Sequence, residues 1–439
     1  MAIITYSSSV DDEANALEVW PPMSKTMSIA GDQKRPYITE LVLQRDLDRR
    51  RKASVHVIEA ATQGYATPKV QRALLLHGLR QPYELTNAHA IPTTVTDNEM
   101  IVRVLSIGLN PVDWKSVLWV RHPALPYVAG RDFAGMIVKY SSSISGLREG
   151  DIVLCASTDY RDMRKAAFQE YAVALEHNVC KLPEHVSVAQ GAAIGVAYVA
   201  AALALGVCLG LRLPRLGAAK DLDLREEVWT LPPESIPADV RAECLQTREE
   251  DQRPHPGQYL VIWGGSSTSA LFISQLARLA GLKVILVVDV AKHGARLSTM
   301  GWNFLVDSQD ANRAVEVIRG ITGGRLRFAI DTVGPKTASC LARCLMHDSL
   351  TPGHLVALAA LPKEPSADGV VYHSVPMKLF HEVPGVGRAL MAWLQQALAA
   401  SAIELPEVTC VKGGLSFVNG ALDQMRRGEV SGRRIVVSL

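Results

Sequence analysis

The sequence carries almost no net charge: 46 Lys and Arg stand against 44 Asp and Glu, a formal +2 over 439 residues. That balance leaves no electrostatic footprint for nucleic acid or another polyanion. Cysteine is sparse and scattered, at 155, 180, 208, 244, 340, 344 and 410. An odd number at such spacing argues against a disulfide scaffold and fits a reducing compartment. No apolar run reaches the ~20 residues of a membrane helix. The nearest, Gly191 to Leu211, is rich in Ala and Gly and reads as a buried helix. The first ten residues are polar and lead into Asp11, Asp12 and Glu13, which is no secretory signal. Internal repeats are absent too. With 48% apolar and 21% charged residues the chain is expected to be globular, soluble and cytoplasmic. At roughly 150 residues per domain it has room for two or three domains.

What is present changes character along the chain. Residues 1–67 hold Pro21-Pro22, polar stretches and the run Arg45 to Lys52. They read as a solvated extension, or as a docking arm for a partner protein. From Lys69 onward, short β-type runs (Ala73 to Leu76, Met100 to Ile107, Met136 to Tyr140, Ile152 to Ala156) alternate with Gly108, Gly130, Gly135 and Gly146, which predicts a barrel-like β unit. After Pro183 the texture is α/β. Val188 to Leu211 reads as one long apolar helix, and 212–258 as a charged surface insertion without clear periodicity. A complete βαβ unit follows: strand Tyr259 to Trp263, the Gly264-Gly265 turn, helix Ser269 to Ala280 and strand Lys283 to Asp289. Phe304 to Val306, Phe328 to Asp331 and His354 to Ala359 read as further strands, with helices at Asn312 to Ile318 and Lys336 to Leu345 between them.

The turn after Trp263 has the form of a nucleotide site. Glycines permit the tight bend, and the helix start offers free N–H groups to a pyrophosphate. A G-x-x-G-x-x-G spacing would put glycine at 264, 267 and 270; here Ser267 and Ala270 replace two of them. Ser266, Ser267, Thr268 and Ser269 could donate to phosphate oxygens, or the serines could simply cap the helix. Asp289, at the end of the second strand, favours a ribose 2′-hydroxyl and hence NAD, whereas Lys292 and His293 favour a 2′-phosphate. The two signals conflict.

The segments Gly108 to Lys115, Gly130-Arg131-Asp132-Phe133-Ala134-Gly135, Gly150-Asp151-Ile152-Val153 and the nucleotide turn resemble the medium-chain dehydrogenase/reductase superfamily. The serine-rich turn, Ala167 to Tyr171, Gly413-Gly414-Leu415 and Gly428 to Gly432 are similar to its quinone-oxidoreductase-like branch, in particular the trans-acting enoyl reductases of fungal polyketide pathways. The resemblance spans residues 70–439 apart from 212–258. It implies an α/β fold: a GroES-like β-rich catalytic domain (68–189, completed by 385–439) and a Rossmann cofactor-binding domain (190–384, with the 212–258 insertion).

It also implies a site. Val112, Asp113, Trp114 and Lys115 would line the nicotinamide end of the cleft, with Lys115 orienting cofactor or substrate and Asn110 offering an amide. Tyr198, where the family commonly has threonine, and Val199 would sit on a substrate-lining helix. Met377, Lys378, Leu379, Phe380 and His381 would face substrate. The cofactor set extends over Gly264 to Ser269, Asp289, Val290, Ala291, Lys292, His293, Ser308, Ala357, Leu358, Ile435 and Val436. Zinc-dependent relatives carry Cys-His where Asn110-Pro111 stands, and Gly-His-Glu where Gly130-Arg131-Asp132 stands. Arginine stays protonated and cannot ligate a metal, so no catalytic zinc is expected. Without a Lewis acid, alcohol oxidation lacks its activator, while hydride addition to a conjugated C=C bond needs only donors at the carbonyl oxygen. The reading is a metal-independent NADPH-dependent reductase (NADH serving as alternative) of a small or carrier-bound enoyl substrate, with a polyketide synthase as partner. A quinone or alkenal reductase and a non-redox protein retaining the fold are the alternatives.

Overall fold

A computed structural model describes residues 68–119, 125–140, 146–216, 221–246, 250–348, 351–362 and 369–439. The expected extension 1–67, with its basic run, lies outside the described residues.

Two sheets dominate. In the first lobe β1 (Val70–Leu76), β2 (Glu84–Ala90), β3 (Glu99–Gly108), β4 (Tyr127–Val128), β5 (Asp132–Lys139), β6 (Ile152–Ala156), β7 (Tyr171–Leu175) and β8 (Val179–Lys181) follow one another. β9 (Tyr259–Trp263), β10 (Lys283–Val288), β11 (Phe304–Asp307), β12 (Phe328–Asp331), β13 (Gly353–Ala357) and β14 (Val370–Ser374) form a parallel sheet in the order β11-β10-β9-β12-β13-β14. Then β15 (Val408–Lys412) and β16 (Arg434–Ser438) return to the first lobe, in the order β15-β16-β3-β5-β6-β8, with β7 also paired to β3. A β-rich lobe completed by the chain's end thus stands beside a doubly wound α/β lobe. The central strands β3, β5 and β6 of the first lobe are buried along most of their length, and β9, β10 and β12 are near-continuous buried runs covered by helices on both faces.

Two expectations are corrected. The stretch 188–211 is not one helix: it forms a turn of helix at Val188–Ala192, a helix at Gly195–Leu203 and a π-turn at Ala204–Cys208. The break brings the start of the second helix against the first lobe, where the Val196 amide donates to Asp132 Oδ1 at 2.7 Å. A Cβ on Gly195 would lie 2.3 Å from that oxygen, so only glycine permits the approach. The insertion 212–258, expected as a charged surface stretch without periodicity, carries short helices at Leu224–Trp229 and Arg241–Leu245 among its described residues. Leu224, Val228, Ile236 and Cys244 enter the main core. Arg225, 2% exposed, donates to the carbonyls of Val207 and Cys208 at 2.9 and 3.0 Å, capping the π-turn. No described helix is long and apolar enough to cross a membrane.

Candidate active site

The nucleotide turn forms as its residues require. Gly264 has φ +83°, and a Cβ there would lie 2.3 Å from the Thr332 hydroxyl. The helix Thr268–Leu279 then begins with Ser267 as its cap, the hydroxyl accepting from the Ala270 amide at 3.1 Å and donating to Thr332 Oγ1 at 3.1 Å. The Ser267 hydroxyl is thus engaged within the turn, although the residue lines the same cavity as its neighbours. Ser266, Thr268 and Ser269 remain half-buried at the helix start, where first-turn amides have no intrahelical acceptor. Ser266 and Thr268 line a cavity of about 360 Å³ that also takes in Arg296, Gly432 and Arg433. These features fit a dinucleotide phosphate, and Arg433 is a residue the sequence reading missed. Its signal was the strand alternation of Arg433-Arg434: one arginine faces the cavity and the next faces the interior. Ile435 and Val436, expected at the cofactor, are instead 1% and 0% exposed inside β16.

The two conflicting specificity signals meet each other. Asp289 caps the helix Val290–Thr299, forms an ion pair with Lys292 at 3.1 Å, and accepts from Gln309 at 3.0 Å. The Lys292 hydrogen bond holds the Asp289 carboxyl below the ordinary range. Ala291 and Lys292 are exposed, and Val290 is half-buried. His293 is 7% exposed and turns away to Ser431 Oγ at 2.8 Å, so it ties the C-terminal segment to this helix. Ser308 follows β11, half-buried, its amide on the Val288 carbonyl at 2.8 Å; Ala357 ends β13 and Leu358 follows it.

At the junction of the lobes lies a buried polar cluster. Arg434 donates to Asp132 Oδ2 at 2.5 Å and to Asn110 Oδ1 at 2.7 Å. Asn110 Nδ2 donates to Asp132 Oδ2 at 3.0 Å and to the Gly108 carbonyl at 3.4 Å. Both ends of the amide are thus used, and Asn110 has nothing left for a substrate. Burial pushes the Asp132 carboxyl up, and Arg434 opposes it. Asp113, in the first turn of the helix Pro111–Trp119, accepts from the Asn110 backbone amide at 2.7 Å; burial pushes its carboxyl up to about 7. Arg131 donates to Tyr127 Oη at 2.6 Å and lies 3.6 Å from the centre of the Tyr160 ring. Val112, Trp114 and Lys115 stand half-buried beside this cluster, with the Lys115 ammonium 5.5 Å from the Trp114 ring centre.

These side chains do not fit zinc. An always-charged arginine and an amide with both ends engaged occupy two of the positions a metal would need. Among the described residues no group of three His, Cys, Asp or Glu could hold an ion.

The expected substrate residues divide. Tyr198 is fully buried, its hydroxyl donating to the Leu390 carbonyl at 3.0 Å and its ring stacked on Trp393. Val199, Leu379 and Phe380 are also 0% exposed and pack in the core. Met377 is half-buried. Lys378 reaches the insertion, pairing with Asp239 at 2.6 Å. His381 shares a hydrogen bond with Thr158 Oγ1 at 2.7 Å, and burial pushes its imidazole down to about 4, so it is neutral at ordinary pH.

Residues 96–184 match the alcohol dehydrogenase GroES-like domain. The two-lobed fold is similar to that of solved quinone oxidoreductases and enoyl reductases. A structure of quinone oxidoreductase from Escherichia coli complexed with NADPH superposes at TM-score 0.62, with 16% identity, over 84% of this chain and all of that one. The CurK enoyl reductase superposes at 0.62, with 14% identity, over 84% and 99%. In sequence, the chain resembles a trans-enoyl reductase, resD of Aspergillus sclerotiorum, at 26% identity over 366 residues, covering 78% of this chain and 93% of that one. Dehydrogenase azaJ of Aspergillus niger is 27% identical over 363 residues, covering 79% and 93%. The likeness to the superfamily, and within it to fungal trans-enoyl reductases, is what the motifs led one to expect.

Proposed function

We propose that this protein is an oxidoreductase that uses a nicotinamide dinucleotide, without metal, to reduce a C=C bond conjugated to a carbonyl, acting in trans on an enoyl thioester of a polyketide-type synthase. The observation that carries the reading is the junction: Arg131 keeps one N–H unpartnered beside Asn110 and Asp132, which are engaged with each other and with Arg434, a set of side chains unsuited to a Lewis acid. Relatives named trans-enoyl reductases support it. A bound dinucleotide would supply hydride. Ser266, Thr268 and Arg433 would hold its phosphates, and Lys292, paired with Asp289, would turn to a 2′-phosphate, which favours NADPH. The lobe junction, tied by the Asp132–Val196 and His293–Ser431 hydrogen bonds, keeps the two halves of the cleft in register.

The test is a panel of enoyl thioesters, enones, quinones and saturated alcohols with both cofactors, with and without a chelator. Enoyl thioesters should consume NADPH regardless of chelator, and alcohols should reduce no NADP. Consumption confined to quinones would replace this reading with a quinone reductase. Cofactor binding without turnover on any acceptor, including the synthase-bound chain, would support a non-redox role.

A further inference from the structure

Three buried polar atoms near the junction have no hydrogen-bond partner: Arg131 Nη1, Asp113 Oδ1 and Ser157 Oγ. Their residues are 3%, 1% and 4% exposed and come from three different elements. Arg131 precedes β5, Asp113 opens the helix Pro111–Trp119, and Ser157 follows β6, its amide on the Arg131 carbonyl at 2.7 Å. Buried polar groups are normally satisfied, and a buried guanidinium with an idle N–H asks for a reason. Structure alone does not supply one. Arg131 forms no ion pair among the described residues, and its held contacts are a phenol oxygen and an aromatic face.

The Arg131 surroundings are built. Tyr127 Oη takes Nη2 and itself donates to the Tyr160 carbonyl at 3.1 Å, while the Tyr160 ring lies against the guanidinium. The charges of Arg131, Asp132 and Arg434 all act on the buried Asp113 carboxyl. Tyr160 is 39% exposed, so the group covering Arg131 is itself open to solvent. A fixed, buried cation with an idle N–H supplies a partner for charge developing on oxygen.

We propose that Arg131 is a catalytic residue whose idle N–H donates a hydrogen bond to the substrate's conjugated carbonyl oxygen. This rests on the reading of the site as an ene reductase. As the β-carbon gains hydride from a reduced nicotinamide, the C=C electron pair shifts to the bond beside the carbonyl. The oxygen becomes an enolate, held by the guanidinium. A proton from water then reaches the α-carbon and the C=O bond re-forms, so one hydride and one proton are added.

The test uses cinnamoyl-N-acetylcysteamine, a conjugated thioester whose absorption moves to longer wavelength when its carbonyl is polarised. The spectrum is read on the full chain without cofactor, which separates this proposal from the redox reading. Wild type should red-shift the bound probe. Arg131→Gln should bind it without the shift and lose at least about a hundredfold in kcat, a loss typical of removing one such donor. KM should move little. Arg131→Lys, which keeps the charge and guards against a folding artefact, should retain part of both. A full red shift and unchanged kcat in Arg131→Gln would overturn the proposal, as would a wild-type protein that binds the probe with no shift. Wild-type polarisation without turnover on any acceptor would uphold the Arg131 contact and remove the ene-reductase reading.

Discussion

Replacing Arg434 by Met tests the buried junction most sharply. The side chains of Arg434 and Asp132 are 6% and 1% exposed, and the pair is 2.5 Å apart. Methionine fills the stem's volume and removes only the charge and the two hydrogen bonds to Asp132 and Asn110. The Asp132 carboxylate would keep the Val196 and Asn110 donors but lose its cation. Removing one partner of a buried pair costs about 3–5 kcal/mol, because the other charge stays buried. At roughly 2 °C per kcal/mol for a chain this long, the melting temperature should fall by about 6–10 °C. The deficit should also depend on pH. With Arg434 gone, burial raises the Asp132 carboxyl further above its unfolded value of 3.8. Stability is then fully present below that value and lost as pH rises through the raised one. The variant should therefore trail wild type more at pH 8 than at pH 5. Thermal and urea melts at the two pH values, with Asp132→Asn and the double variant completing a cycle, read this directly. A loss below about 1 kcal/mol, or one independent of pH, would refute the reasoning.

Tyr198→Phe removes one hydroxyl bonded to a main-chain carbonyl; it should cost about 1 kcal/mol in a urea melt and leave kcat unchanged, and a hundredfold loss of turnover would restore Tyr198 to the site. Lys292→Ala should weaken NADPH several-fold in fluorescence titration and leave NADH alone; a wild type preferring NADH, with Asp289→Ala reversing the preference, would contradict the NADPH assignment. Asp113 stays protonated in the fold up to about pH 7 but ionises in the unfolded chain from 3.8. Its contribution is therefore lost as pH rises between those values, by up to about 1.4 kcal/mol per unit. Asp113→Asn should flatten that part of the stability profile, and an unchanged slope would count against the burial argument.

Where local pattern decided structure, the sequence was readable. Leu260 to Trp263 is an unbroken apolar run stopped by Gly264-Gly265, and only a buried parallel strand entering a tight turn suits it. The failures share a cause: a partner far away in the chain. The apolar stretch 188–211 breaks because Asp132, some sixty residues earlier, claims the Val196 amide. Tyr198 is silenced by Leu390 and Asn110 by Arg434, separations that no motif reports. The insertion looked solvated because its arginines look like surface charge, yet Arg225 spends its guanidinium on the carbonyls of a π-turn. Arg131 was read only as a residue unable to bind metal; its idle N–H is visible only once the neighbours are in place.

The central claim is that hydride reaches the carbon β to a carbonyl. Turning over an enoyl thioester with nicotinamide cofactor deuterated at C4, and locating the label by NMR in the saturated product, tests it directly. Deuterium from the correctly labelled face should appear at the β-carbon alone, with the α-hydrogen drawn from water. Deuterium at the carbonyl carbon, or none in the product, would contradict the account.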